Sequence, residues 1–516
     1  MSKTVSQHTS FQVRLLGGRQ LSLNWTTVAL AILVTMAAAL RLYKIDASGL
    51  WVDEIFTALF ASPDKTFAEV AQGPLNSPLP TPPLWFWITH VFVLLFGTGD
   101  VVVRLPSVIA GALGVWAICK VGETLFDRSI GLVSALLLTV SPAHLYHSRE
   151  ARFYAAIVLF SLLTLYFLHR GINTGEKRWW AGFIIVTLLN IYIHLAAFFV
   201  LAAEVAYVGV LLVFELIIAR KGDLRSLFRE TWALPCLISL GVIAICYLPM
   251  VPYLLTGIQG PRGLGNVGKI YGLNLSVRYF LRLFGLFGAG PGIPLSLYVG
   301  TALWGVGNAV RTHRRQVLLF LLAIGMPFVI ILLMQPKHWF NYKYVIFILP
   351  VYLVTIALGL TYLARAISQV LEAWPLLRES NLLQSLILGA LALTYGLFSI
   401  SVLNEAYFQR SDRWRSVAQL LTSNVRPEDA VAVLPVELLT MPAEEIMGYY
   451  GPSSGEMNVA TVDDVRQMRA LLTAHRRVWV VMDRRVDYRV AGDVVAWLRS
   501  RPHVQLSFEG GTSVFY

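Results

Sequence analysis

Twelve long apolar runs divide the sequence and exclude a soluble globular fold. A helix needs roughly 20 apolar residues to cross the hydrocarbon core of a bilayer. Only 14% of the 516 residues are charged, whereas a soluble domain carries about 25% charged residues. The sequence therefore predicts a polytopic α-helical membrane protein. The runs lie at residues 25–43, 83–97, 104–119, 131–146, 153–169, 180–193, 195–219, 232–255, 292–310, 316–334, 343–364 and 382–403.

Basic residues in the short loops indicate how the chain is oriented in the membrane and whether the short run at 83–97 crosses it. Cytoplasmic loops of membrane proteins carry an excess of Lys and Arg. If the N-terminus is cytoplasmic and the run at 83–97 does not cross, nearly every short basic loop falls on the cytoplasmic side. The sequence therefore predicts eleven crossings, with 83–97 as an interfacial helix on the outer face. The net charge of +12 then reflects topology and gives no reason to expect nucleic acid as a partner.

The composition changes to that of a soluble protein after residue 403. The stretches DRWRSVAQLLTSN and DDVRQMRALLTAH have the periodicity of amphipathic helices, and AVAVLP, VWVVMD and VQLSFEG have the character of short buried strands. We therefore expect a transmembrane domain over 1–403 and a small extracytoplasmic α/β domain over 404–516. The three cysteines show no disulfide framework.

Two adjacent carboxylates, Asp53 and Glu54, follow the first span in the stretch SGLWVDEIFT. Acidic residues favour helix N-termini, so a solvated helix cap is one explanation of the pair. The flanking Trp51, Ile55 and Phe56 would instead hold it near hydrocarbon, where ionisable groups are costly and often functional. The pair is therefore a candidate catalytic site.

Basic side chains are expected at the same outer face. Arg104, at the mouth of the second span, is either a snorkelling anchor or a bidentate donor to a phosphate. The stretches SPAHLYHSREARFYA and QPKHWFNYKYVIFILP hold the remaining candidates, which are interfacial anchors, internal ion pairs or substrate contacts. The candidate phosphate ligands are Arg104, Arg149, Arg152 and Lys343, and the candidate substrate contacts are His144, Glu150, Tyr154 and His338.

The spacing of His144, His147 and Glu150 leaves a metal site open as an alternative, although a turn breaks any single helix face there. Taken together, carboxylates, cations and aromatic residues converge on one leaflet, as a site for a lipid-borne phosphate requires. A pore would instead have charges spread along its depth.

These residues resemble a known family. The stretches LRLYKIDASGLWVDEIFT, PPLWFWITHVFVLLFGTGDVVVRLPSVIAGALGV and LVSALLLTVSPAHLYHSREARFYA resemble bacterial membrane glycosyltransferases of the protein mannosyltransferase and aminoarabinose transferase type, which are similar to glycosyltransferase family 39 and have the GT-C fold. The resemblance is good over about residues 40 to 200 and looser through FNYKYVIFILP. It implies transfer of a sugar from a polyprenyl phosphate to an acceptor outside the cytoplasm.

The resemblance also implies roles for single residues. Asp53 matches the catalytic carboxylate of the family, and Arg104 matches an arginine near the donor phosphate. Two positions depart from the family pattern: Thr81 stands where a His is common, and Lys343 where an Arg is common. A Lys can meet a phosphate as a point charge, but it lacks the bidentate fork.

The mechanism expected from these residues is a single displacement. Asp53 would accept the proton of the acceptor hydroxyl, Glu54 would orient Asp53 or bind a sugar hydroxyl, and the cations would stabilise the departing phosphate. Inversion at the anomeric carbon follows by analogy with inverting glycosidases. We expect no cofactor to be required, although a divalent metal is an open alternative. The Gly-rich stretch within the loop 256–291 is expected to be either a lid or a connector.

The expected partners are a polyprenyl-phosphate sugar, a glycan, lipid or protein acceptor, and membrane lipids. The expected location is the cytoplasmic membrane of a bacterium. Two other classes of function remain open from the residues: a transporter, for which Glu204 and Glu215 are the candidate mid-membrane charges, and an envelope-assembly scaffold in which residues 404–516 do the work. The sequence has no positive motif for either class.

Overall fold

A computed structural model describes most of the chain. The described residues are 10–14, 20–77, 80–219, 223–259, 277–290, 292–334, 342–372, 381–403, 407, 414–434, 448–450, 458–482, 488–501, 503–507 and 513–515. The predicted substrate contact His338 and most of the predicted lid lie outside these residues.

The chain forms two compact units that are interleaved along the sequence. The helical unit comprises Met1–Tyr43, Ser107–Arg149 and Phe153–Asn404. The loop–sheet unit comprises Lys44–Pro106, Glu150–Arg152 and Glu405–Tyr516. The first loop therefore groups with the C-terminal region and not with the spans that flank it.

The helical unit begins with a hairpin of β1 (Ser10–Arg14) and β2 (Gln20–Asn24). Asn24 then caps the first long helix by accepting a hydrogen bond from the backbone N–H of Thr26 at 3.3 Å. The helices up to residue 259 are α1 (Trp25–Leu42), α5 (Asp100–Leu125), which starts in the loop–sheet unit, α6 (Arg128–Thr139), α7 (Pro142–His147), α8 (Tyr154–Thr174), α9 (Lys177–Ile193), α10 (Ala197–Phe214), α11 (Leu224–Glu230), α12 (Ala233–Tyr247) and α13 (Val251–Gln259). The helices after it are α14 (Val277–Phe287), α15 (Ile293–Ala309), α16 (Arg314–Met334), α17 (Ile348–Leu371) and α18 (Asn381–Ser401).

Eight helices in the described part of the chain are long and apolar enough to cross a membrane. They account for eight of the predicted spans, and the protein is a multi-pass membrane protein. The other three predicted spans fall on α6, α9 and α15, which have 12, 17 and 17 residues. The count of eleven crossings therefore stays a prediction.

Among these spans α17 is the most enclosed, with 83% of its apolar window buried, against 17% for α1. Its contact with α15 depends on glycines at the crossing. A Cβ atom on Gly359 would lie 2.0 Å from the backbone oxygen of Thr301, and one on Gly305 would lie 2.5 Å from the backbone nitrogen of Gly359. The two helix backbones thus approach as closely as small residues allow.

The loop–sheet unit contains α2 (Val52–Phe60), α3 (Phe67–Leu75) and α4 (Leu84–Phe96) from the first loop. The run at 83–97 therefore forms a helix of 13 residues, which is too short to span a bilayer. Its Trp85, Phe86 and Val93 are buried, whereas Leu95 and Phe96 are exposed. The interfacial location of this helix stays a prediction.

The C-terminal part of the loop–sheet unit has a five-stranded mixed sheet with three helices. The strands are β3 (Ala430–Val433), β4 (Asn458–Thr461), β5 (Val478–Met482), β6 (Gln505–Ser507) and β7 (Ser513–Phe515), and the helices are α19 (Trp414–Asn424), α20 (Val465–Ala474) and α21 (Tyr488–Arg499). The strand order is β4-β3-β5-β7-β6, with β3 parallel to β4 and β5. The two amphipathic helices and three buried strands predicted from the sequence lie in these elements.

One apolar core joins the first loop to the sheet. Leu50, Ile55 and Val103 pack in the same buried cluster as Trp414 and Val431. Fully burying each such side chain stabilises the unit by roughly 1.5–3 kcal/mol. The C-terminal region is therefore built onto the loop that carries the carboxylate pair.

Candidate active site

The two carboxylates of the DE pair have different environments. Glu54 is completely buried, whereas Asp53 is half-buried in the first turn of α2. The carboxylate of Glu54 accepts the Nε–H of Arg104 at 2.7 Å and its Nη2–H at 2.8 Å. This is the bidentate geometry of a strong charge-assisted pair.

Two backbone groups complete the surroundings of Glu54. Its Oε1 accepts the backbone N–H of Ala151 at 2.7 Å, and its Oε2 accepts the backbone N–H of Trp51 at 3.2 Å. Ala151 lies in the HSREAR turn, residues 147–152, so this carboxylate links Ala151 to the start of α2. The side chain of Glu54 therefore accepts hydrogen bonds from Arg104 and from two backbone N–H groups, and its predicted catalytic role stays a prediction.

Arg104 uses all five of its N–H groups inside the loop–sheet unit. Besides the two bonds to Glu54, its Nη1 donates to the backbone oxygens of Ile45 at 2.7 Å and Ser48 at 3.0 Å, and its Nη2 donates to that of Gly49 at 2.9 Å. A guanidinium has five donors in total. The predicted contact of Arg104 with a lipid phosphate would need one of these bonds to break.

Arg152 lies beside the backbone of Asp53. Its Nη1 donates to the backbone oxygen of Asp53 at 3.2 Å and lies 3.4 Å from the hydroxyl of Thr57. The side chain is half-buried. Arg152 thus contacts the first turns of α2, while its neighbour Glu150 is buried.

In the helical unit, Arg149 has a structural role at the end of α1. Its Nη1 donates to the backbone oxygens of Arg41 at 2.9 Å and of Tyr43, which are carbonyls that a helix C-terminus leaves without internal partners. The predicted phosphate contact of Arg149 would have to coexist with this capping.

His144 lies against Arg41, a residue that the sequence reasoning did not single out. Arg41 donates from Nη2 to the Nδ1 atom of His144 at 2.7 Å and from Nη1 to the backbone oxygen of Ala37 at 2.9 Å. Because a guanidinium can only donate, Nδ1 is the acceptor and the imidazole carries its proton on Nε2. Space here is tight, since a Cβ on Gly111 would lie 2.7 Å from the Nε of Arg41.

Lys343 sits in an aromatic cluster of the helical unit. Its ammonium is 5.5 Å from the ring centroids of both Tyr154 and Tyr344, within the range of cation–π attraction. His147 packs edge-on against Tyr154 at 5.0 Å, and His194 stacks on Tyr344 at 5.9 Å. The structure thus brings the predicted residues Lys343 and Tyr154 together.

A second polar network, which the sequence reasoning missed, links the first loop to the C-terminal region. Asp100 pairs with Arg415 and accepts a hydrogen bond from the hydroxyl of Tyr450 at 2.6 Å. The same hydroxyl accepts the backbone N–H of Leu50 at 2.6 Å. No spacing rule relates residues more than 300 positions apart, so only the structure could reveal this network.

The described residues contain no group of three His, Cys, Asp or Glu side chains placed to hold a metal ion. In the structure His144 and His147 belong to the helical unit and Glu150 to the loop–sheet unit.

Comparisons with a family model and with solved structures show which proteins this chain is similar to. A family model for dolichyl-phosphate-mannose-protein mannosyltransferases matches residues 80–255, which include Arg104, the HSREAR turn and Tyr154. The structure is similar to that of ArnT from Cupriavidus metallidurans bound to undecaprenyl phosphate, with a TM-score of 0.58 and 15% identity over 95% of this chain and 97% of that chain. The chain has the GT-C fold of membrane glycosyltransferases. The family match and this fold together identify it as an enzyme, a glycosyltransferase.

Other glycosyltransferases of known structure are similar to this chain with slightly lower TM-scores. The oligosaccharyltransferase AglB from Archaeoglobus fulgidus, in complex with an inhibitory peptide and a dolichol-phosphate, gives a TM-score of 0.54 at 11% identity, over 95% of this chain and 74% of that chain. The arabinofuranosyltransferase AftD from Mycobacteria gives 0.51 at 13% identity, over 95% and 39% of the two chains. The search of curated proteins found no match.

A transporter interpretation depended on two glutamates of the span that contains α10. Glu215 lies 3.7 Å from Arg315, whereas Glu204 is buried and neither of its carboxylate oxygens has a hydrogen-bond partner among the described residues. The enzyme class replaces that interpretation.

Proposed function

We propose that this glycosyltransferase moves a sugar from a polyprenyl-phosphate donor to an acceptor hydroxyl on the extracytoplasmic side, with Asp53 as the general base. The observation that carries the proposal is that Asp53 and Glu54 have different environments. Glu54 is held by Arg104 and two backbone N–H groups, whereas Asp53 is half-buried beside Arg152. The family match and the presence of undecaprenyl phosphate on a protein of the same fold support the class of donor.

Asp53 can remove the proton of the acceptor hydroxyl only with difficulty, because a hydroxyl is a very weak acid until it attacks the anomeric carbon. A carboxylate with an ordinary pKa near 4 is a weak base. The proton therefore moves to Asp53 late, when the bond to the sugar has formed in part and the hydroxyl has become acidic. General-base assistance of this kind contributes roughly 10²- to 10⁴-fold to the rate.

The leaving group is a phosphate that gains negative charge as the glycosidic bond breaks. Arg152, which lies beside Asp53 and is half-buried, is the cation that we assign to this charge. Arg104 and Arg149 are buried and donate to protein atoms, so we assign them the task of holding the loop and the end of α1. Lys343 stays a predicted phosphate contact.

A single base and a departing phosphate on opposite sides of the anomeric carbon give one displacement and inversion of configuration. No covalent sugar–enzyme intermediate forms in this scheme. His144, Glu150, Tyr154 and His338 remain predicted substrate contacts.

The outer location of the reaction is supported by the distribution of basic residues, which concentrates in loops expected on the cytoplasmic side. The DE pair falls on the opposite side in the same scheme. A bacterial cytoplasmic membrane, with the C-terminal region outside, is the location that we propose.

The proposal is tested by donor turnover. Purified enzyme is incubated with a panel of polyprenyl-phosphate sugars and an envelope extract as acceptor, and free polyprenyl phosphate is measured by mass spectrometry. We expect release by the wild type and by Asp64→Asn, which alters an exposed carboxylate of the same loop, and release slower by roughly 10²- to 10⁴-fold by Asp53→Asn. Equal release by Asp53→Asn would remove Asp53 as the base, and release from no donor would contradict the proposed substrate.

A further inference from the structure

The segment from Ile45 to Trp51, which we call the anchor segment, leads directly into Asp53 and lacks regular secondary structure. Its backbone oxygens at Ile45, Ser48 and Gly49 accept hydrogen bonds from Arg104. The side chain of Arg104, near the start of α5, thus binds three backbone oxygens of the anchor segment.

The C-terminal region holds other atoms of the same segment. Arg415 donates from Nη1 to the backbone oxygen of Asp46 at 3.1 Å, and the backbone N–H of Leu50 donates to the hydroxyl of Tyr450 at 2.6 Å. All of these groups belong to the loop–sheet unit. The anchor segment is therefore bonded on both sides, by Arg104 and by the C-terminal region.

Asp100, a residue of the loop–sheet unit, binds both Arg415 and Tyr450. It pairs with Arg415 and accepts the hydroxyl proton of Tyr450 at 2.6 Å. Burial raises the pKa of Tyr450, so this hydroxyl stays protonated and donates to Asp100 while it accepts from Leu50. The guanidinium of Arg415 also lies 5.7 Å from the ring centroid of Tyr450, which adds a cation–π contact.

Gly49 shows how close this contact is. A Cβ atom at this position would lie 2.9 Å from the Cβ of Arg415 and 3.3 Å from the hydroxyl oxygen of Tyr450. Only glycine lets the backbone of the anchor segment approach the C-terminal side chains to this distance.

We propose that Arg415 and Tyr450 are positioning residues for the sugar transfer, through which the C-terminal region fixes the anchor segment and hence the place of Asp53. This inference rests on the proposed role of Asp53. Neither residue needs to touch the substrate. Their effect passes through Leu50 and Trp51 to α2, whose first turn is further held by the bond of Glu54 to the Trp51 N–H. A small displacement of a reacting group is enough to lower the rate strongly.

The matched control is another ion pair of the C-terminal region. Arg477 donates to both carboxylate oxygens of Asp429, at 3.0 and 2.7 Å, and both residues belong to the C-terminal region. A variant at Arg477 perturbs the fold of the C-terminal region through this pair. It therefore separates positioning from a general loss of stability.

The experiment compares wild type with Tyr450→Phe, Arg415→Lys, Arg477→Lys and Asp53→Asn. For each, kcat and the KM for the donor are measured, together with hydrogen–deuterium exchange of the peptide covering residues 45–56. For Tyr450→Phe and Arg415→Lys we expect a kcat lower by about 10- to 100-fold, an unchanged KM and faster exchange in this peptide. Arg477→Lys should change neither kcat nor this exchange.

Three results would overturn the inference. A wild-type kcat for Tyr450→Phe, with Asp53→Asn inactive, would remove the positioning role and leave the proposed function intact. An equal fall of kcat in Arg477→Lys would show that stability alone is responsible. Full activity of Asp53→Asn would remove the proposed function itself, and with it the reason for positioning this segment.

Discussion

The guanidinium of Arg104 donates two hydrogen bonds to the carboxylate of Glu54, at 2.7 and 2.8 Å, and both side chains are completely buried. Desolvation of two charges is costly, and such a pair is favourable only when further hydrogen bonds satisfy it. Here three backbone oxygens and two backbone N–H groups do so. The pair therefore fixes the loop that carries the candidate base.

Breaking this pair should destabilise the protein strongly. Glu54→Gln leaves the Arg104 charge buried without its anion, which costs about 3–5 kcal/mol in comparable cases. We expect a clearly lower melting temperature in detergent. The control is Glu123→Gln, which breaks half-exposed pairs with Lys120 and Arg128, and surface pairs contribute only about 0–1 kcal/mol. Equal melting of both variants would contradict the structural role of Glu54.

Arg152 should matter mainly in the transition state, when charge develops on the leaving phosphate. We expect Arg152→Ala to lower kcat by roughly 10²- to 10³-fold, with a smaller change in the KM for the donor. Arg152→Lys should recover part of the rate, because it restores the charge without the fork. Steady-state kinetics with a fixed donor measure both effects. A variant in which only KM rises would show that Arg152 binds the ground state and does not stabilise the leaving group.

Lys343 should contribute to binding of the lipid phosphate. Hydrogen bonds to charged groups contribute about 1.5–3 kcal/mol, so Lys343→Ala should weaken the affinity for undecaprenyl phosphate by about 10- to 100-fold. Lys343→Arg should retain the affinity, since the guanidinium also suits an aromatic surrounding. Isothermal titration with undecaprenyl phosphate tests this, with Lys120→Ala as the control for loss of a half-exposed Lys. Unchanged affinity of Lys343→Ala would exclude the contact.

The Asp429–Arg477 pair predicts a pH dependence of stability in the C-terminal region. Hydrogen bonds from Arg477 lower the pKa of Asp429 to about 2, below the value near 3.9 of an unfolded chain. The stabilisation is therefore complete above about pH 4 and is lost as the pH falls towards about 2. The difference in melting temperature between wild type and Asp429→Asn should shrink over this range. A difference that stays constant with pH would contradict the assignment.

Hydropathy and local pattern predicted much of this molecule. Eight of the predicted spans, the short helix Leu84–Phe96 and the amphipathic helix at Val465–Ala474 depend on hydropathy and on periodicities of a few residues, which a sequence displays directly. The DE motif also stood out, because a carboxylate pair beside a membrane span needs a reason to be there.

The roles of single arginines could not be predicted in the same way. An arginine at a helix mouth has the same sequence context whether it meets a lipid phosphate or, like Arg104, the carbonyls of its own protein. The acceptors of Arg104 lie up to 59 positions away along the chain, and Tyr450 meets Leu50 across 400 positions. Such contacts follow from the tertiary fold and have no local signal.

The most direct test of the account separates donor binding from chemistry at Asp53. Affinity for the polyprenyl-phosphate sugar and the rate of a single turnover are measured for wild type and Asp53→Asn under the same conditions. We expect the same affinity and a turnover slower by roughly 10²- to 10⁴-fold for Asp53→Asn. A turnover equal to that of wild type would show that Asp53 is not the general base and would contradict the proposed mechanism.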